Sequence, residues 1–405
     1  MPLAGELDLP RLDPTDPQLR GSRYRAAMAG VGGYDGWLAA QPFGYVVLDR
    51  EAGEFFLRTR EAEFPGRVIA QLFGIDAGPL REEIDKNIIN TSGADHARLR
   101  SLVNPALAPR RVDRYRPAMR EFLEQLAAEW PGDGRGDFVE QFAKPYPSRV
   151  IAHVMGAPVA DADRLHRFSS WIQRQFDAGS LASERAEIER VVQECYAYID
   201  GLIDARQHDP REDLITDLIA AEEAGEKLTR DELRNLVLNI LVGGVDTSQS
   251  QLAHAVRLLA EHPDQWEALR ADPRGLALRA VEEALRYEPI TPFTARITTG
   301  EVVFRDVTFP AGSVVLVSAW HANRDGVAED RFDIAREPRG AGRVLTFGAG
   351  IHYCVGANLA RAELEEGLAF LAERVRELRL GGEPRFGTPS GIYALEALPV
   401  VLTLA

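Results

Sequence analysis

Residues Thr229 to Glu261 read as one long helix that the rest of the chain must cover. Thr229-x-x-Glu232 is a capping box, Leu228 and Leu233 are placed for a hydrophobic staple, and His262-Pro263 ends the run. About 32 residues at a rise of about 1.5 Å give a rod of roughly 48 Å. Leu, Val and Ile occupy most of its faces, which predicts a helix buried all round and wrapped by other helices. Inside it stands Gly243-Gly244-Val245-Asp246-Thr247. Two adjacent glycines cost a helix roughly 2 kcal/mol against alanine. Two readings are open. Either the glycines let a neighbouring helix pack closely, or they mark a notch that admits a small ligand. In the second case Asp246 and Thr247 supply protons in a water-poor site.

The 405 residues are 45% hydrophobic, enough for a large core, and carry a net charge of −15. That balance argues against nucleic-acid binding, which needs a basic surface. The two cysteines, Cys195 and Cys354, make no disulfide framework and suit a reducing cytosol. The N-terminus lacks the basic and apolar regions of a signal peptide, and no run approaches the ~20 apolar residues of a membrane span. The expectation is a cytoplasmic chain with no membrane association, forming a single domain over 1–405 with a turn-rich segment over 1–33.

Alternating patterns predict short strands over 43–49 and 55–59 around a turn at 51–53. They also predict a hairpin that pairs 302–304 with 314–317 around Pro310-Ala-Gly312. Residues 64–94 read as a loop with one or two short helices, and Asp95 to about Glu288 as almost wholly helical. A break at 178–182 divides the 161–208 stretch, where Cys195 reads as structural. Residues 96–120 hold seven arginines against one acid, Asp113. A solvated helix face explains such a run plainly; a docking patch for an acidic partner explains it functionally.

The densest motif is Phe347-Gly-Ala-Gly-Ile-His352-Tyr-Cys354-Val-Gly356-Ala-Asn-Leu-Ala-Arg361, after which helix resumes to about Leu378. Gly348 and Gly350 allow positive φ and close approach to a flat ligand. Cys354 stands at the start of the helical run, where free N–H groups favour a thiolate. A thiolate can hold haem iron from one side. The spacing resembles the haem-ligand signature of the cytochrome P450 family: Phe seven before Cys, glycines at fixed offsets, His two before and Gly two after. Other motifs match that family in the same order. Gly243-Gly244-Val245-Asp246-Thr247 resembles its oxygen-binding groove. Glu283-Ala-Leu-Arg286 resembles its structural Glu-x-x-Arg ion pair. His96 and Arg100, one turn apart, and Arg296 and His352 fall at positions that contact the haem propionates. Two departures stand out: Val327-Ala-Glu-Asp-Arg-Phe332-Asp lacks a proline many members carry, and Ser248 stands where a second Thr is frequent.

The resemblance implies a mainly α fold with small β-sheets (α+β), a single triangular domain around the long helix. It implies haem b as cofactor, with Cys354 as axial ligand whose electron donation helps cleave the O–O bond. Phe347 would shield the sulfur, and Gly348 and Gly356 would shape the loop. The implied reaction inserts one atom of dioxygen into a hydrophobic small organic substrate, contacted from 68–92, 166–182, Leu238, Val242, Ile290, Phe293, Thr294, Ile392 and Tyr393. The chain shows no flavin domain and no iron–sulfur cysteine cluster, so electrons come from outside. A ferredoxin with an NAD(P)H-dependent ferredoxin reductase is the expected source, docking on the arginine-rich segment. The alternatives are a peroxide-driven peroxygenase on the same fold and a non-catalytic haem sensor or carrier; the Asp246–Thr247 pair weighs against both.

Overall fold

The computed structural model of the chain describes residues 1–223, 228–327, 330–337 and 344–404. Ala328 and Glu329 of the Val327–Asp333 run, and Ala405, lie outside them. The chain divides into two compact units. The first comprises Met1–Pro65, Glu282–Cys354 and Arg385–Glu396; the second comprises Gly66–Val281, Val355–Pro384 and Ala397–Ala405.

The first unit is built on a five-stranded sheet with strand order Leu38–Gln41, Gly44–Val47, Val314–Ser318, Phe293–Thr298, Ala62–Glu63. Gly44–Val47 runs parallel to Val314–Ser318, and the other pairs are antiparallel. Gly44 is what lets the parallel strand approach, because a Cβ there would sit 2.2 Å from the Val314 carbonyl oxygen. Two expectations are corrected. Residues 55–59 are not a strand: Arg50–Arg58 is a helix, capped by Asp49, whose carboxylate accepts from the Ala52 N–H at 2.7 Å. The adjacent Phe55 and Phe56 imitate a strand, but Ala52, Gly53, Phe56 and Leu57 make one buried helical face. The hairpin also has a different partner. Val302–Phe304 pairs with Val307–Phe309, turning at Arg305 with φ 53°, while Val314–Ser318 goes to the centre of the large sheet.

Buried aromatics fill this unit. Trp37, Phe56, Phe304 and Phe309 form one cluster, and Tyr24, Met28, Trp320 and Tyr393 another. Glu283 and Arg286 form a bidentate pair, with both bonds at 2.8 Å. Arg286 also donates to Asp330 at 3.2 Å and to the Arg331 carbonyl at 3.1 Å. Glu283 accepts from the Asp333 N–H at 3.0 Å and faces Arg336 at 3.4 Å. The pair therefore pins the end of the Pro273–Tyr287 helix to the irregular 330–336 segment.

Helices make up most of the second unit. Six recur below: α1 (Gly93–Val103), α2 (Pro145–Met155), α3 (Ala162–Gln173), α4 (Arg230–Gly244), α5 (Asp246–Glu261) and α6 (Ala357–Arg374). The expected long helix is α4 followed by α5, interrupted at Val245 (φ −100°, ψ −74°). Its start lies where the capping box puts it, with Thr229 and Glu232 bonded reciprocally. From Ser250 to Ala260 every residue of α5 is buried, so the helix is covered on all sides. The break expected at 178–182 falls earlier: a 3-10 turn occupies Arg174–Phe176, and Asp177 caps a helix that runs unbroken from Ala178 to His208. Cys195 is fully buried in it, and burial pushes its thiol far up, as a structural cysteine requires. A small sheet of Arg135–Asp137, Pro399–Leu404 and Val375–Leu380 completes the unit.

Replacing Arg286 by Leu leaves Glu283 buried against a single, longer ion pair. Loss of one partner of a buried pair costs about 3–5 kcal/mol, so Arg286→Leu should lower the unfolding midpoint in urea markedly, and an unchanged midpoint would show that Arg336 compensates.

Candidate active site

In the first unit the Cys354 loop is closed by its own backbone. The Cys354 N–H donates to the Phe347 carbonyl at 2.9 Å, and the Gly348 N–H donates to that of Leu345 at 2.8 Å. Gly348 (φ 69°) and Gly350 (φ 71°) both take the left-handed conformation. Gly350 is doubly constrained, since a Cβ there would lie 2.6 Å from the Leu57 carbonyl oxygen. Gly356 takes φ −84°, which any residue adopts, and serves as the N-cap of α6. Cys354 is half-buried and precedes the helix by three residues, not at its first turn as expected. The Phe347 ring lies edge-on to Tyr353 at 6.4 Å.

Arg296 tests whether this unit fits a carboxylate-bearing cofactor. It projects from the Phe293–Thr298 strand on the same face as Thr294. Only 3% of it is exposed, and its guanidinium donates to the Ala295 carbonyl at 2.8 Å. Among the described residues no carboxylate pairs with it, and burial pulls its pKa down to about 10. A buried, uncompensated cation is costly, and a propionate is the kind of group that satisfies it. His352 stands half-buried in the Cys354 loop. In the second unit, α1 carries buried His96 one turn from half-buried Arg100; burial, and then Arg100, hold His96 below its usual range.

The two glycines at the α4–α5 break differ in their surroundings. Gly243 is exposed, and a Cβ there would meet nothing within 4 Å. A Cβ on Gly244 would lie 2.9 Å from Ile151 of α2, so this glycine permits close helix packing. The Thr247 hydroxyl donates back to the Gly243 carbonyl at 2.6 Å. Asp246, the first residue of α5, is held by α3: Ser170 donates to its Oδ1 at 2.7 Å and Ser169 to its Oδ2. Nothing in the spacing of the chain announces these serines. Their only signal is two adjacent hydroxyls set between Phe168 and Trp171. Ser248, beside Thr247, faces the fully buried Glu363 of α6.

The substrate candidates divide. Phe293, Thr294 and Ile392 are half-buried, while Val242 and Ile290 are almost covered. Leu238 and Tyr393 are wholly buried. The Tyr393 hydroxyl accepts from the Gly21 N–H at 3.0 Å, and its ring meets Tyr24 at 4.5 Å. Within 68–92, buried Glu83 accepts from Asn87 at 2.6 Å and from Asn239 of α4 at 3.3 Å, which ties that segment to the interrupted helix. The arginine-rich segment is largely self-neutralised. Arg98 pairs with Glu232, Arg111 with Asp217 at 3.1 Å, Arg116 with Glu365 at 2.7 Å and Glu366 at 3.0 Å, and Arg120 with Glu373. Arg114 reaches Glu212 only at 3.9 Å, and Arg110 is exposed. Among the described residues no helix is long and apolar enough to cross a membrane.

Comparison with known proteins agrees with this layout. The cytochrome P450 family model matches residues 45–275 and 276–376. Luteothin monooxygenase of Streptomyces thioluteus is 33% identical over 97% of this chain and 96% of its own length. Mycinamicin IV hydroxylase/epoxidase of Micromonospora griseorubida is 35% identical over 74% of this chain and 75% of its own. The crystal structure of CalO2 superposes with a TM-score of 0.87 at 28% identity, covering 97% of this chain and 99% of that one.

Burial pushes the Glu363 carboxyl up to about 8 from an ordinary 4.5, while the Ser248 hydroxyl acts the other way. The folded protein thus keeps a proton that the unfolded chain has released. The stability this contributes is whole below pH 4.5 and is lost as pH rises through about 8. Glu363→Gln should therefore flatten the fall in melting temperature between about pH 5 and about pH 8, leaving the variant more stable than the parent at the upper end; parallel melting curves would exclude the buried acid as the cause.

Proposed function

The chain belongs to the cytochrome P450 family and is a haem-dependent monooxygenase; on that premise we propose which of its residues do the work. Cys354 holds the haem iron as thiolate, with the Cys354–Phe347 backbone bond keeping the loop closed. Arg296, His352, His96 and Arg100 bind the propionates. Arg296 is the observation that supports this most, because its buried guanidinium lacks a carboxylate among the described residues. When bound, haem b supplies the binding and reductive cleavage of dioxygen, one atom going to the substrate and the other leaving as water.

The remaining chemistry is the protein's. Gly243 leaves open space beside α4, and Thr247, whose hydroxyl proton goes to the Gly243 carbonyl, presents its lone pairs as acceptors. Asp246 supplies protons for dioxygen reduction. Phe293, Thr294, Ile392, Val242 and Ile290 contact a hydrophobic small organic substrate. The relatives named for Luteothin and Mycinamicin IV show the range of compounds worth screening by the spin-state shift they cause. The chain works as one cytoplasmic domain, taking electrons from a ferredoxin and an NAD(P)H-dependent reductase. Self-neutralisation narrows the docking surface to Arg110 and its neighbour Arg114.

Two measurements test these roles. Cys354→Ala should lose the thiolate-type carbon monoxide spectrum of the reduced protein; its survival would overturn the ligand assignment. Arg110→Glu combined with Arg114→Glu should slow reduction by ferredoxin about tenfold at low ionic strength, and the difference should shrink as salt rises. Equal rates at low salt would place the docking surface elsewhere.

A further inference from the structure

Asp246 is the acid of the proposed site, yet among the described residues no lysine or arginine holds it. Its carboxylate is gripped by two hydroxyls from one turn of α3, Ser169 and Ser170, and Ser169 is fully buried. His166 lies on the same face of α3 as Ser170, four residues earlier. Its Nε2 stands 4.0 Å from Asp246 Oδ1 and donates to Gln249 Oε1 at 3.0 Å. Asp246 and Gln249 are in turn neighbours on the first turn of α5. Beyond this contact lies a surface cleft of about 510 Å³, lined by Glu140, Lys144, Asp163, His166, Arg167 and Ser170. Ser170 thus touches the carboxylate on one side and lines the cleft on the other.

We propose that Asp246 is recharged with protons from this cleft through Ser170, with His166 and Ser169 as positioning residues. The inference rests on reading Asp246 as the proton donor. A hydroxyl donates and accepts at once, which an ammonium or guanidinium partner cannot do. When Asp246 gives up its proton, Ser170 passes its own hydroxyl proton to Oδ1 and takes one from a cleft water, and bulk solvent restores the charge. Ser169 fixes Oδ2, so Oδ1 is the oxygen that faces the supply. Gln249 holds the His166 ring, with the proton on Nε2, at the edge of the contact.

The test compares Ser170→Ala, Ser170→Thr, Ser169→Ala and Asp246→Asn as haem-loaded proteins. Retention of the thiolate-type carbon monoxide spectrum checks that each is folded. The probes are dioxygen and NAD(P)H, supplied through a ferredoxin and its reductase. Ser170→Ala should slow oxygen-dependent NAD(P)H consumption about tenfold, enlarge its solvent deuterium isotope effect, and shift the product of dioxygen reduction from water towards hydrogen peroxide. Ser170→Thr, which keeps the hydroxyl, should return all three to within about twofold of the parent. A second readout needs no turnover: the carboxylate stretch of Asp246, identified by its loss in Asp246→Asn, should shift in the infrared spectrum of Ser170→Ala and Ser169→Ala but not of Ser170→Thr. If Asp246→Asn is impaired and Ser170→Ala behaves as the parent, the route through Ser170 is wrong. If Asp246→Asn itself matches the parent, the reading of Asp246 fails and the route fails with it.

Discussion

Interrupting a helix leaves backbone carbonyls at the break without their usual partners. The second unit answers with a hydroxyl. Thr247 donates to the carbonyl of Gly243, in the last turn of α4. The Gly243 carbonyl is thus served by a side chain from the far side of the break at Val245. Thr247 is also one of the residues proposed for the site, and Ser169 grips the carboxylate of Asp246. Their donor protons are committed to the backbone or to Asp246, so what Thr247 offers outward is an acceptor.

Buried charge is handled in two contrasting ways. Glu283 and Arg286 satisfy each other and recruit Asp330 and the 330–336 backbone, so that charge is closed within the fold. Arg296 is open: burial lowers its pKa, and among the described residues no acid offsets it. The first arrangement suits a structural joint. The second suits a cation waiting for an anion that the described residues do not provide. Glu363 is the converse case, a carboxyl that burial keeps protonated through most of the physiological range.

Several local signals in the sequence proved reliable, while tertiary choices did not. The Thr229 capping box, the loop from Phe347 to Gly356 and the Glu-x-x-Arg pair each encode their geometry within a few residues, so they were legible before any fold was known. The strand at 314–317 was recognisable, but its partners were not, because pairing with Gly44–Val47 depends on a glycine some 270 residues away in the chain, a separation no local rule reaches. Phe55 and Phe56 misled because two adjacent aromatics outweighed the Asp49 cap. The arginine run looked like a patch of one sign, and its neutralising acids, Asp217, Glu232, Glu365, Glu366 and Glu373, come from distant segments. Ser169 and Ser170 were invisible for the same reason: the residue they serve is 76 to 77 positions away.

The division of labour between Gly243 and Gly244 has a consequence for anyone reshaping this protein. At position 244 a methyl would press on the tip of the Ile151 side chain of α2, which would have to shift. Position 243 is sterically idle on the protein's side, so a methyl placed there would strengthen α4 by about 1 kcal/mol while narrowing the space beside it. Helix stability and the open space beside Gly243 are thus coupled through one hydrogen atom, with opposite signs, and variants selected for heat resistance alone would drift towards filling that space.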